Sequence, residues 1–154
     1  MRRVLTACLA FALAALATGA ELPLDVQATP VVEHGHLALR FVLENVSSAD
    51  VNLNNADLPW GSPQSVKVSV KPKGSGKELS QLPVMSPPAL GQTVLRPQQT
   101  LIGDYEIVIY GASLDALLDK GDLQVDWSYA PQAADGTSLG AYSGKVDVRS
   151  PLHR

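Results

Sequence analysis

Chemistry in this chain would have to begin at His34-Gly35-His36, preceded by Glu33, where two of its three histidines stand together. On an extended backbone both imidazoles would point the same way, and two ring nitrogens with a carboxylate could hold zinc or copper. A third strong ligand is needed, and the remaining histidine, His153, stands close to the last residue of the sequence. The same residues make a polar turn between strands, and we read them so, assigning no metal ligand. Asp115, Asp119, Asp122 and Asp126 lack the Asp-x-Asp-x-Asp-Gly spacing of a calcium loop and read as a solvated acidic face.

Nucleophilic catalysis finds no better footing. There is no Gly-x-Ser-x-Gly elbow, no His-Glu-x-x-His and no Gly-rich phosphate cradle. A Ser-His-Asp set would have to use His34 or His36, both on an expected surface turn. The chain is therefore expected not to be an enzyme, with no catalytic residue and no cofactor. Asn45-Val46-Ser47 fits the N-glycosylation sequon but reads as a turn in which Asn45 and Ser47 bond the local backbone.

What remains is apolar surface on stiff loops. Leu58-Pro59-Trp60-Gly61 and Val84-Met85-Ser86-Pro87-Pro88-Ala89-Leu90 combine proline with large apolar groups. Prolines restrict a loop before a partner arrives, which lowers the ordering cost of association. Leu58, Pro59, Trp60, Met85, Pro87, Pro88 and Leu90 are the candidate contacts to a partner. The alternative is that both loops fold inward and close the ends of the core, with Trp60 as a cap. Trp127 is read differently, as core, because it alternates cleanly with Leu123, Val125 and Tyr129.

These loops must be held by strands. In His36 to Asn45, Leu37, Leu39, Phe41 and Leu43 fall on one face at a period of two, with Arg40 and Glu44 opposite, predicting a central strand with one buried side. Glu21 to Glu33, interrupted by Pro23 and Pro30, predicts an edge strand that switches sheets at Pro30. Val66 to Val70 alternates with Lys67, Ser69 and Lys71, and Pro72 to Lys77 predicts a hairpin loop leading into Glu78–Leu82. Pro83 to Gln92 should be irregular. Thr93–Leu95 and Leu101–Tyr110 are the next strands, the second covered on both sides for part of its length. Ser113 to Lys120 predicts a helical connector of about two turns, capped by Ser113 and Gly121. Asp122–Tyr129 and Leu139–Val148 complete the strands, and Ser150 to Arg154 is a frayed end.

Arg2 and Arg3 before the apolar run Val4 to Ala17, then Thr18-Gly19-Ala20, make residues 1–20 a signal peptide. Leu5-Thr6-Ala7-Cys8 has the residue types of a lipoprotein box, but it stands at the start of the apolar run, so Cys8 is read as part of the leader. The mature chain would then begin at Glu21 without cysteine, periplasmic or secreted. Leaving Arg2 and Arg3 out of the 12 basic residues leaves ten against 15 acidic ones, a formal charge of −5. That balance, without a basic stripe, argues against nucleic acid. No later run approaches the ~20 apolar residues of a membrane span.

About seven or eight short strands with one helical connector predict an all-β, immunoglobulin-like antiparallel sandwich over residues 21–154. Asp119-Lys120-Gly121-Asp122-Leu123-Gln124-Val125 resembles the Asp-x-Gly-x-Tyr-x-Cys corner of immunoglobulin domains, with Leu123 for the tyrosine and Val125 for the cysteine. Leu39 through Tyr110 resembles the small bacterial immunoglobulin-like domains of the intracellular-proteinase-inhibitor type. It shares their apolar strand ending in Asn-x-Ser, their Gly-Lys-Glu-Leu hairpin and their Leu-x-Pro turn feeding a long strand. The resemblance implies an inhibitor presenting a rigid loop to a protease. Together these readings predict an exported, monomeric, non-enzymatic protein that binds another macromolecule, with a protein partner. A structural or assembly component of the envelope, working through strand edges, is the rival.

Overall fold

A computed structural model describes residues 21–150. The expected leader with Cys8, and residues 151–154, lie outside them. In chain order the described elements are β1 (Leu24–Glu33), β2 (His36–Asn45), β3 (Val51–Asn54), a 3₁₀ turn (Asn55–Asp57), β4 (Val66–Pro72), β5 (Gln81–Leu82), β6 (Gln92–Leu95), β7 (Thr100–Ile109), α1 (Leu114–Leu118), β8 (Leu123–Tyr129) and β9 (Tyr142–Val148). The fold is all-β with antiparallel pairing, and the described residues hold nine strands against the expected seven or eight.

The central strand has the predicted bounds. Leu37, Leu39, Phe41 and Leu43 are buried while Arg40 is exposed, because one face of β2 looks into the core and the other does not. β2 lies between β1 and β7 in a sheet ordered β1-β2-β7-β5. A second sheet is ordered β4-β8-β9, and β3 pairs with β6, with one further bridge from Leu53 to Ala133. The inner faces of the two larger sheets meet where Phe41 packs edge-to-face on Trp127, ring centroids 5.2 Å apart, and leans on Tyr129 at 6.5 Å. Trp127 is buried, as its alternation predicts.

Several local expectations need correction. β1 is an edge strand, but it runs through Pro30 without switching, with Pro30 opposite Leu39. An edge position tolerates a residue with no N–H to give. The loop after β4 does not return as a hairpin strand. The Leu79 N–H still donates to Val70 O at 2.7 Å, but the chain then crosses to the other sheet, where Gln81 and Leu82 pair with Ile109 and Val108. β6 and β7 follow one another as expected, β6 pairing with β3 and β7 with β2. In β7, Val108 is half-buried whereas Tyr110 beyond it is 66% exposed, so the expected double covering stops short.

α1 is shorter than expected. The Ser113 hydroxyl accepts the Ala116 N–H at 3.3 Å, and Leu114 and Leu118 face the core. The final strand starts later than Leu139, which is buried in the preceding loop with its N–H on Pro131 O. Ser150 is not frayed: it is buried, and its N–H donates to Asp122 Oδ1 at 2.8 Å.

Candidate functional site

The histidine cluster does not adopt the extended geometry that metal binding would use. His34 (φ 51°) and Gly35 (φ 79°) form the two-residue turn between β1 and β2, closed by the Glu33–His36 pair. Positive φ at both central residues is the mark of a type I′ hairpin turn, which fits the right-handed strand twist. His36 Nδ1 lies 3.8 Å from Glu106 Oε1 across the sheet. Among the described residues no three His, Cys, Asp or Glu side chains are grouped to hold a metal.

Of the acidic residues around the helix end, Asp122 and Asp126 each have partners of their own. Asp126 accepts from Lys71 Nζ at 2.7 Å and from Gln124 Nε2 at 2.8 Å. The hydrogen bond from Lys71 holds its carboxyl below the ordinary carboxylate range, partly offset by desolvation. Asp122 caps Ser150. Asn45, read as a turn former, is more than that. It is fully buried, and its Nδ2 donates to Ala49 O at 2.8 Å and to Leu95 O at 2.7 Å. Its Oδ1 accepts the Ser47 N–H and hydroxyl. One amide therefore joins the end of β2, the following turn and β6. A glycan has no access to it.

The two candidate loops come together. The Ala89 N–H donates to Gly61 O at 2.8 Å, and Asn55 grips the second loop twice, with Nδ2 on Leu90 O (2.8 Å) and its N–H on Gly91 O (2.9 Å). Asn55 Oδ1 accepts the Thr93 hydroxyl at 2.6 Å. Sequence reasoning passed over Asn55 as part of a polar stretch, since nothing local marks its contact with Leu90.

Within the first loop, Leu58 and Pro59 must be corrected. Both are buried, so neither can meet a partner. Trp60 is half-buried and packs against the core, its indole lying on Gly103, where a Cβ would collide with the ring. It caps the core and leaves part of its surface outside. In the second loop the candidates lie outward: Met85 is 92% exposed, Leu90 is 91% exposed, and Pro87 and Pro88 are exposed.

Between the loops lies a hollow of about 240 Å³, lined by Trp60, Ser62, Pro63, Val84, Ser86, Asp104, Tyr105 and Glu106. The Tyr105 hydroxyl donates to Pro63 O at 3.0 Å, and burial raises its pKa. Asp104 is held by Arg40 in a two-pronged pair, both bonds 2.8 Å. Those hydrogen bonds keep the Asp104 carboxyl below its ordinary range, partly offset by burial. This arrangement has no nucleophile paired with a base. It offers an apolar floor and an acidic rim, beside a segment that carries two exposed apolar side chains.

No family model matches the chain. No curated protein matches it. Among solved structures, a protein from Archaeoglobus fulgidus is similar over 84% of this chain and 98% of its own, at 8% identity and a TM-score of 0.40.

Proposed function

We propose that residues 21–154 are an exported, non-enzymatic, immunoglobulin-like β-sandwich that binds another protein through the segment Val84–Leu90 and the hollow beside Trp60. The observation carrying this reading is the exposure of Met85 and Leu90 on a segment tied to Gly61 and Asn55. Soluble proteins seldom leave large apolar side chains so open on a stiffened segment unless something covers them. The sandwich reading is supported by strand order. β1-β2-β7-β5 against β4-β8-β9 follows the four-plus-three order of constant-type immunoglobulin domains.

The test is capture of partners from a periplasmic extract by the mature chain. Met85→Ala with Leu90→Ala should weaken capture while leaving the unfolding free energy within about 0.5 kcal/mol of the parent. Unchanged capture would refute the contact. Intact mass of the exported protein should correspond to a chain starting at Glu21, and a lipidated species starting at Cys8 would refute that processing.

A second reading, proteinase inhibition, is favoured by the same arm. Met85 stands free on a proline-bounded stretch of the kind a protease cleft accepts. Titration against proteases of differing specificity separates the readings, because an inhibitor saturates stoichiometrically and a plain binding protein leaves proteolysis untouched.

A further inference from the structure

β7 is ten residues long, but β5 pairs only with Val108 and Ile109. The Tyr110 N–H donates to Ser80 O at 2.8 Å, which fixes the side of the strand that faces β5. Backbone groups on that side recur at every second residue, so Val108, Glu106, Asp104 and Ile102 all turn N–H and C=O toward it. Continued pairing would set Val84 against Glu106 and Ser86 against Asp104. The chain swings away after Leu82 instead, and the hollow beside Trp60 opens in the gap. Among the described residues the N–H groups of Asp104 and Glu106 have no partner.

An unpaired edge beside a groove is a template for an added strand, with backbone bonds giving affinity and alternate side chains giving selectivity. The rim supplies the selectivity. Among the described residues, Asp104 and Glu106 are the charged ones lining the hollow, and no Lys or Arg lines it. Asp104 is occupied by Arg40, whereas among the described residues Glu106 has only His36 at 3.8 Å. We propose that an extended segment of the partner adds as a strand to the free edge of β7 at Asp104 and Glu106, with a lysine or arginine against Glu106. This rests on the protein-binding reading above and names the chemistry of what is bound.

The probe is a short blocked peptide alternating lysine and valine, added to the mature protein, with amide exchange followed by NMR. The amides of Asp104 and Glu106 should exchange freely in the protein alone and slow by about tenfold or more at saturation. Glu106→Lys should weaken binding by about tenfold. A peptide N-methylated at alternate residues, which cannot complete the ladder, should not bind. Equal binding of the N-methylated peptide, protection at another strand edge, or no binding at millimolar peptide would overturn the proposal. Should Glu106→Lys fail to fold, the N-methylated peptide on the parent protein decides. Partner capture that depends on Met85 and Leu90, with no protection at β7, sinks the edge while sparing the loop contact.

Discussion

The indole of Trp60 occupies the space that a side chain at Gly103 would fill. Gly103 pairs with Phe41 in β2, so the ring enters a socket in the inner face of the sheet beside the central aromatic cluster. A glycine in mid-strand weakens the strand locally, and here the space it leaves is used for packing.

Gly103→Ala should therefore destabilise by about 1–3 kcal/mol, as overpacking does. Trp60→Ala should cost about 2 kcal/mol or more. The two losses should not add: removing the ring frees room for the methyl, giving a coupling of about 1 kcal/mol or more in a double-mutant cycle by urea denaturation. Additive losses would show that the ring and the strand do not meet.

Trp127 makes a sharper case. Trp127→Ala should cost about 3–5 kcal/mol, whereas a loss below about 1 kcal/mol would mean the side chain is not core. Its Nε1 is buried without a hydrogen-bond partner. Trp127→Phe should thus cost much less than Trp127→Ala, because it removes an unsatisfied donor along with part of the ring.

Asn45→Leu should destabilise by about 1–3 kcal/mol, since it strands the buried Leu95 carbonyl that Nδ2 now satisfies and unties the turn at Ala49. Expression in a glycosylating host should give folded protein of unmodified mass. A folded, soluble species with a glycan at Asn45 would contradict the buried geometry.

The Arg40–Asp104 pair gives a pH signature. The folded Asp104 carboxyl binds protons less readily than its unfolded counterpart. Its stabilisation is therefore complete above the ordinary carboxylate pKa of ~3.9 and fades as pH falls through the lower folded value. Thermal midpoints measured from neutral to acid pH should fall less steeply for Asp104→Asn than for the parent, and added salt should narrow the difference. Identical acid limbs would refute the assignment.

β2 was legible to the residue because a strand with one buried face writes a strict alternation into the sequence. The turn at His34-Gly35 and the cap at Ser113 were legible for similar local reasons. Sheet membership was not. β5 and β6 leave their sequence neighbours for distant partners, and pairing of that kind is decided by the whole core. The site divides the same way. The irregular, outward course of Met85 and Leu90 follows from the prolines around them, which keep the segment out of the strands. The inward turn of Leu58, Pro59 and Trp60 depends on a socket at Gly103, in a strand far along the chain, and no local pattern announces it.

The exposed arm from Val84 to Leu90 also divides the chain in an unusual place. β1 to β5 lie before it and β6 to β9 after it. The pairings β2–β7, β3–β6, β4–β8 and β5–β7 all cross that divide. A single proteolytic cut in the arm would yield two interleaved fragments, neither owning a complete sheet. They should remain associated at native pH and separate only on denaturation, and each expressed alone should be unfolded until mixed with the other.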